Sequence, residues 1–186
     1  MNRRLMRLAP ALALLPLLAG CGYNRIQALD EQVSSAESQI KVQLQRRADL
    51  IPNLVETVKG YAAHESSTLE AVIAARNAAT AATGPAQQAQ AENMLSGALK
   101  SLFAVSEAYP DLKANAGFQQ LQTELSSTED RIAYARQYYN DNVRAYNEGI
   151  QKFPANLVAG MFKFGEREYF EADETSRQNV QVDFGS

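Results

Sequence analysis

The chain has one cysteine, Cys21, one histidine, His64, and no tryptophan. A lone cysteine excludes an intramolecular disulfide and any thiolate-rich metal site. A lone histidine excludes a two-histidine zinc face of the H-E-x-x-H type, although Glu65 follows His64 directly. A serine triad would need His64 as its base, and no G-x-S-x-G turn presents a serine. His64 is read as a partly exposed helix residue. Gly84, Gly97, Gly117, Gly149, Gly160 and Gly165 stand singly, so no glycine-rich loop can cradle a phosphate. With a net charge of −3, the chain is a poor electrostatic match for nucleic acid. Carboxylates such as Glu124, Glu129 and Asp130 sit among basic residues, as on a solvated helix face. No catalytic residue, metal site or cofactor is therefore assigned, and an enzyme is not expected.

The first twenty residues have the three parts of a secretion signal. Arg3, Arg4 and Arg7 precede any acidic residue, an apolar stretch runs from Leu8 to Leu18, and Ala19 and Gly20 lead to Cys21. The string LLAGC is a lipobox: small side chains let the extended site enter a peptidase, and the thiol accepts a diacylglycerol. A permanent span is disfavoured, because about 20 apolar residues are needed to cross the hydrocarbon and this run is shorter and holds Pro10 and Pro16. Residues 1–20 are thus expected to be cleaved and residues 21–186 to form the mature domain, anchored by lipid on Cys21. One acyl chain binds a bilayer only marginally, whereas two or more hold a protein durably. Loss of the three arginines leaves 15 basic against 21 acidic residues, a balance of −6. Gly22 rather than an aspartate follows Cys21, which points to the outer membrane, facing the periplasm, in a cell with two membranes.

Helical periodicity dominates the rest. Ile26, Leu29, Val33, Ala36 and Ile40 form one apolar stripe, which resumes with Ile51, Leu54/Val55, Val58, Tyr61/Ala62, Leu69 and Val72/Ile73. Between the two, Asp49 could cap a new helix with Pro52 in its first turn; the alternative is one helix bent at the proline, and near-continuity with a bend is expected. Thr83-Gly84-Pro85 stops one helix and starts the next. A third helix follows over about 86–105, with Met94/Leu95, Ala98/Leu99 and Leu102 on its apolar face, and Tyr109-Pro110-Asp111 breaks the chain again. A fourth, about 118–153, carries the seam Phe118, Leu121, Leu125, Thr128, Ile132, Ala135, Tyr139, Val143, Tyr146, Ile150 and Phe153. It has heptad, coiled-coil-like spacing with one stutter at Tyr139 to Val143 and would be roughly 50 Å long. Pro154 can open a short helix over ANLVAGMF. Residues from about 165 form an irregular tail in which Val180 to Phe184 alternate like a strand without a visible partner. Four amphipathic helices joined by short breaks predict an all-α, antiparallel up-and-down bundle.

Two long strings, QLQRRADLIPNLVETVKGYAAHE (residues 43–65) and RIAYARQYYNDNVRAYNEGIQKFPANLVAGMFKF (residues 131–164), with YFEA at 169–172 and YPDLKAN at 109–115, resemble the hallmark segments of the LemA family of bacterial envelope proteins. The resemblance covers nearly all of the mature chain. It implies a helical bundle held at a membrane by its N-terminus and little chemistry, since the family has no generally established activity. Some relatives are linked to membrane organisation, including magnetosome formation. Relatives commonly begin with a transmembrane helix, whereas this chain begins with a lipobox.

Two sets of residues stand out as candidate sites. Polar residues fall near the seams: Arg46, Arg47, Asp49 and Asn53 at the bend, and Arg131, Arg136, Tyr139, Asn140, Asn142 and Asn147 along the fourth helix. Any guanidinium inside must be paired, so pairing that fixes helix register is the preferred reading over a groove for a peptide or helix. Phe153, Leu157, Met161, Phe162 and Phe164, with Val158, Tyr169 and Phe170, concentrate apolar area. They are expected to cap the open end of the bundle; if exposed, they form a patch for a partner or a membrane. The functional expectation is a lipid-anchored, non-enzymatic scaffold or interaction module of the cell envelope with a protein partner. The alternative is a small-ligand or lipid binder with a cavity between helices.

Overall fold

Prolines 85 and 110 each stand first in a helix and Pro154 directly precedes one, but Pro52 lies inside a helix. In chain order the elements are α1 (Arg3–Lys59), α2 (Ser66–Ala81), α3 (Pro85–Ser106), α4 (Pro110–Ala114), α5 (Ala116–Gln151) and α6 (Ala155–Phe162). The structure, a computed structural model, describes the backbone of residues 3–170 and the side chains of residues 22–170. Among the described residues there is no strand, and the protein is an all-α helical bundle. The strand-like segment Val180 to Phe184 and the side chain of Cys21 lie outside them.

The four long helices are there, but the first boundary is not at Asp49–Pro52. The chain stays helical to Lys59 and breaks at residues 60–65. Pro52 lacks the N–H that would bond the carbonyl of Ala48. Arg76 of α2 supplies the missing donor, its Nε lying 2.8 Å from that oxygen. A proline that would otherwise leave a half-buried acceptor orphaned is thereby tolerated in mid-helix. Asp49 is accordingly no cap: it sits exposed within α1, accepting from Nε2 of Gln45 at 2.7 Å. His64 falls in the exposed turn after α1 rather than on a helix.

The other boundaries have local causes. Gly84 has φ of +82°, a region that suits glycine, and Pro85 follows as the first residue of α3. Asn115 caps α5, its Oδ1 accepting the N–H of Phe118 at 2.9 Å, the third residue of the helix. Its Nδ2 also donates to the hydroxyl of Tyr61 at 3.0 Å, and Tyr109 donates to Glu65 at 3.0 Å. The connection after α1 and the connections around α4 are thus tied together.

The chain divides into two compact units, and α1 and α5 each contribute to both. The unit of residues 41–134 and 169–186 holds the core cluster of Ile51, Leu54, Val58, Leu69, Val72, Leu95, Leu99, Leu102, Leu112, Phe118 and Leu125. Thr128, 2% exposed, donates its hydroxyl to the carbonyl of Glu124 at 2.7 Å and so sits in a buried seam without penalty. In the unit of residues 1–40 and 135–168, Ile26, Val33, Ala36 and Ile40 of α1 are buried, as are Ala135, Tyr139, Val143, Tyr146 and Ile150 of α5. Gly149 admits Leu29, whose Cδ1 would stand 2.8 Å from a Cβ added there. The α5 seam therefore holds from Phe118 to Ile150, with Leu121 partly buried. It stops short of Phe153, which is exposed and lies beyond the end of the helix.

Candidate functional site

Arg47 is the one member of the polar group at the bend that goes inside. It lies at 2% exposure with Glu92 of α3 at 3%. Its Nη1 is 3.1 Å from Oε2 of Glu92, its Nη2 donates to Oγ of Ser96 at 2.8 Å, and the half-exposed carboxylate of Glu129 is 3.7 Å away. Ser96 in turn donates to Glu129 at 3.0 Å. Three helices are joined by this network. Burying both charges is tolerable because they face each other and their hydrogen bonds are largely met. Arg46, Asp49 and Asn53 point to solvent. Close by, a partly open groove of about 250 Å³ is lined by Lys41, Leu44, Gln45, Ala48, Thr80 and Glu92, among others.

In the other unit, polar side chains of α5 hold an extended piece of the chain that follows α6. Asn147, 6% exposed, pairs with the backbone of Arg167 in both directions: its Nδ2 donates to the carbonyl at 3.0 Å and its Oδ1 accepts the N–H at 2.9 Å. Tyr139 donates to the carbonyl of Glu168 at 2.9 Å and Tyr146 to that of Gly165 at 3.1 Å. Gln151 donates to the carboxylate of Glu166 at 2.7 Å. The Arg167 guanidinium reaches back to α1, with Nε and Nη2 at 3.0 and 2.8 Å from Oδ1 of Asp30. Burial, reinforced by Glu37 and opposed by Arg167, raises the pKa of Tyr139. Burial, reinforced by Asp30, raises that of Tyr146. The hydrogen bond to Asp30 likewise holds the Arg167 guanidinium charged. Tyr139 and Asn147 therefore do bind an extended peptide, but it belongs to their own chain. Arg131 is exposed, Arg136 and Asn140 are partly buried, and Asn142 donates to the carbonyl of Tyr138 at 2.7 Å.

The apolar residues around α6 do not form the expected cap. Phe153 is 80% exposed, Leu157 62%, Met161 77% and Phe162 55%; only Phe164 is partly buried. The physical reason is the shortness of the helix: eight residues bury one narrow face, here Val158 and Ala159. That face meets α1 at Gly22. Val158 stands in contact distance of Gly22, a Cβ on which would lie 3.4 Å from its Cγ2. The Tyr23 ring lies 4.9 Å from that of Phe162 and 5.9 Å from that of Phe164. Lys163, in the left-handed region at φ of 58°, ends the helix. Tyr169 is exposed and Phe170 buried in the unit of residues 41–134 and 169–186.

Among the described residues, no three of histidine, cysteine, aspartate or glutamate gather closely enough to hold a metal ion, and no helix is long and apolar enough to cross a membrane. The sequence matches the model of the LemA family over residues 36–184. The chain belongs to the LemA family. Magnetosome protein MamQ 2 of Paramagnetospirillum magneticum is 30% identical over 175 residues, covering 80% of this chain and 64% of the relative. Protein LemA of Metamycoplasma hominis is 29% identical over 163 residues, covering 86% of this chain and 73% of the relative. Magnetosome protein MamQ of Magnetospirillum gryphiswaldense is 28% identical over 174 residues, with 80% and 64% covered. The chain thus spans somewhat under two thirds of the length of these magnetosome relatives. Every polar and apolar candidate falls inside the matched LemA region; Cys21 lies before it.

Six side chains of these networks escaped the sequence reading of this LemA chain: Glu92, Ser96, Asp30, Arg167, Gln151 and Glu166. Glu92 had a signal. Glu92, Leu95, Leu99, Leu102 and Ser106 step 3-4-3-4 and all are buried, so the glutamate occupies a core position. Asp30 and Arg167, 137 residues apart, had none.

Proposed function

We propose that this LemA-family chain is a lipid-anchored, non-enzymatic interaction module of the cell envelope, held at the outer membrane by acyl chains on Cys21. The observation that carries the reading is where its polar chemistry goes. Arg47 pairs with Glu92, and Tyr139, Tyr146 and Asn147 are occupied by residues 165–168. These side chains fix the fold. What remains on display is of the kind that makes contacts between proteins, such as Tyr134 at 71% exposure beside the exposed Arg131 on α5; tyrosine and arginine are enriched at interfaces. A small-ligand or lipid binder would call for an enclosed apolar cavity. The groove at Glu92 is partly open and edged by Lys41, Gln45 and Thr80, which does not favour that reading.

The test is affinity capture of the full chain from membranes cross-linked in intact cells, comparing the wild type with Arg131→Glu/Tyr134→Ala. The reading predicts a discrete co-purifying protein whose yield falls about tenfold or more in the variant, as for loss of a binding hot spot. Recovery of no specific partner with either protein contradicts it.

A further inference from the structure

We infer that α6 is an interfacial helix, with Phe153, Leu157, Met161 and Phe162 entering the surface of the same phospholipid bilayer that holds the N-terminus. The inference rests on the membrane anchoring proposed above, but only on its location. Acyl chains on Cys21, or an uncleaved apolar stretch from Leu8 to Leu18, would each bring residue 21 to a bilayer.

Single exposed apolar side chains are ordinary, but a contiguous group is not. Here four large ones fall within ten residues. In α6 the division is clean: Val158 and Ala159 are buried, whereas Leu157 and Met161, one turn apart, face outward. Gly160 lies between them, and a Cβ there would meet nothing within 4 Å. Among the described residues, nothing covers the outward face.

Position decides what covers it. The inner face of α6 rests on Gly22, and Phe162 packs on Tyr23. These are the first two residues after Cys21. An acyl group on Cys21 and the outward face of α6 thus start from the same spot, and a bilayer reached by one is within reach of the other. The charge pattern agrees. Between Glu148 and Glu166 there is no acidic residue, and Lys163 and Lys152, the latter paired with Glu148 at 2.9 Å, bracket the apolar side chains. Flanking lysines of this kind place their ammonium groups among lipid headgroups while the apolar residues sink below. The helix would restrain the otherwise free swivel of a lipid anchor and set the orientation of this end of the chain on the membrane.

The absence of tryptophan makes a clean test available. Met161→Trp and Leu157→Trp, at exposed positions that leave the core untouched, are prepared as full-length lipidated protein in vesicles of phosphatidylethanolamine and phosphatidylglycerol. A share of the lipid is brominated near the glycerol end of the acyl chains. Tyr138→Trp is the control, thirteen residues before the end of α5 and so about 20 Å along the helix. Both α6 variants should show blue-shifted emission that brominated lipid quenches about twofold or more, with the control unaffected, as for a side chain at the acyl boundary. Emission matching the control, in protein whose N-terminus mass spectrometry shows to be acylated, overturns the interfacial helix and leaves the anchor standing. Blue-shifted emission that brominated lipid does not quench places the patch against protein and also overturns it. Quenching in protein whose N-terminus is not acylated supports the interfacial helix and removes the lipid anchor.

Discussion

Replacing Glu92 by glutamine leaves the shape of the site intact and removes one charge, so it isolates the electrostatic part of the buried pair. Removing one partner of a buried ion pair costs about 3–5 kcal/mol, because the other charge stays desolvated. Arg47 is 2% exposed and cannot turn to water, but it keeps Ser96 at 2.8 Å and Glu129 at 3.7 Å. Those contacts place the loss at the low end, about 3 kcal/mol. For a chain of this size each kcal/mol moves the melting temperature by about 2–4 °C, giving a fall of roughly 6–12 °C. Circular dichroism at 222 nm during heating measures it. The double variant Arg47→Met/Glu92→Leu, which removes both charges, should recover to within about 1 kcal/mol of the wild type. A fall below about 2 °C for Glu92→Gln would refute the reasoning, as would a double variant less stable than the single one.

Other outcomes follow from the same geometry. Asn147→Ala removes both bonds to the backbone of Arg167 and should cost about 1–3 kcal/mol, with faster hydrogen exchange confined to residues 165–168; unchanged exchange there contradicts the clamp. Folding raises the pKa of Tyr139 and Tyr146, so their contribution is complete below the ordinary phenol value of about 10 and is lost as pH rises through the higher folded values. Absorbance of tyrosinate at 295 nm should show late-titrating phenols that vanish in Tyr139→Phe/Tyr146→Phe, and a double variant titrating like the wild type speaks against that. Leu125→Asp puts an unpaired charge at a position 2% exposed and should cost several kcal/mol; a soluble variant with full helical signal and unchanged melting would show the seam to be misplaced.

The elements most easily read ahead of the structure are those whose causes are local. Gly84-Pro85 and Tyr109-Pro110 end and begin helices because backbone geometry leaves little choice, and the seam from Phe118 to Ile150 follows from its spacing. Pro52 could not be resolved from its surroundings, because the group that makes it tolerable is Arg76, in another helix. Arg46 and Arg47 look alike in composition, yet Leu44, Arg47, Ile51, Leu54 and Val58 step 3-4-3-4, and this row assigns only Arg47 to the inside. A strict period count would have found both members of the buried pair, since Glu92 sits in such a row as well. Tyr139 and Asn147 stand out in the sequence as polar residues near the seam, but their partner is an irregular segment whose docking leaves no periodic trace. The apolar group from Phe153 to Phe164 was visible as composition; its exposure was not, because that depends on how little a two-turn helix can bury.

The proposed lipid anchor can be tested directly by mass spectrometry of the N-terminal peptide from protein extracted from the membrane fraction of its native cells. A peptide that begins at Cys21 and carries a diacylglycerol on sulfur, absent in Cys21→Ser, is the predicted result. An N-terminal peptide that retains residues 1–20, or that begins at Cys21 with a free thiol, would contradict it.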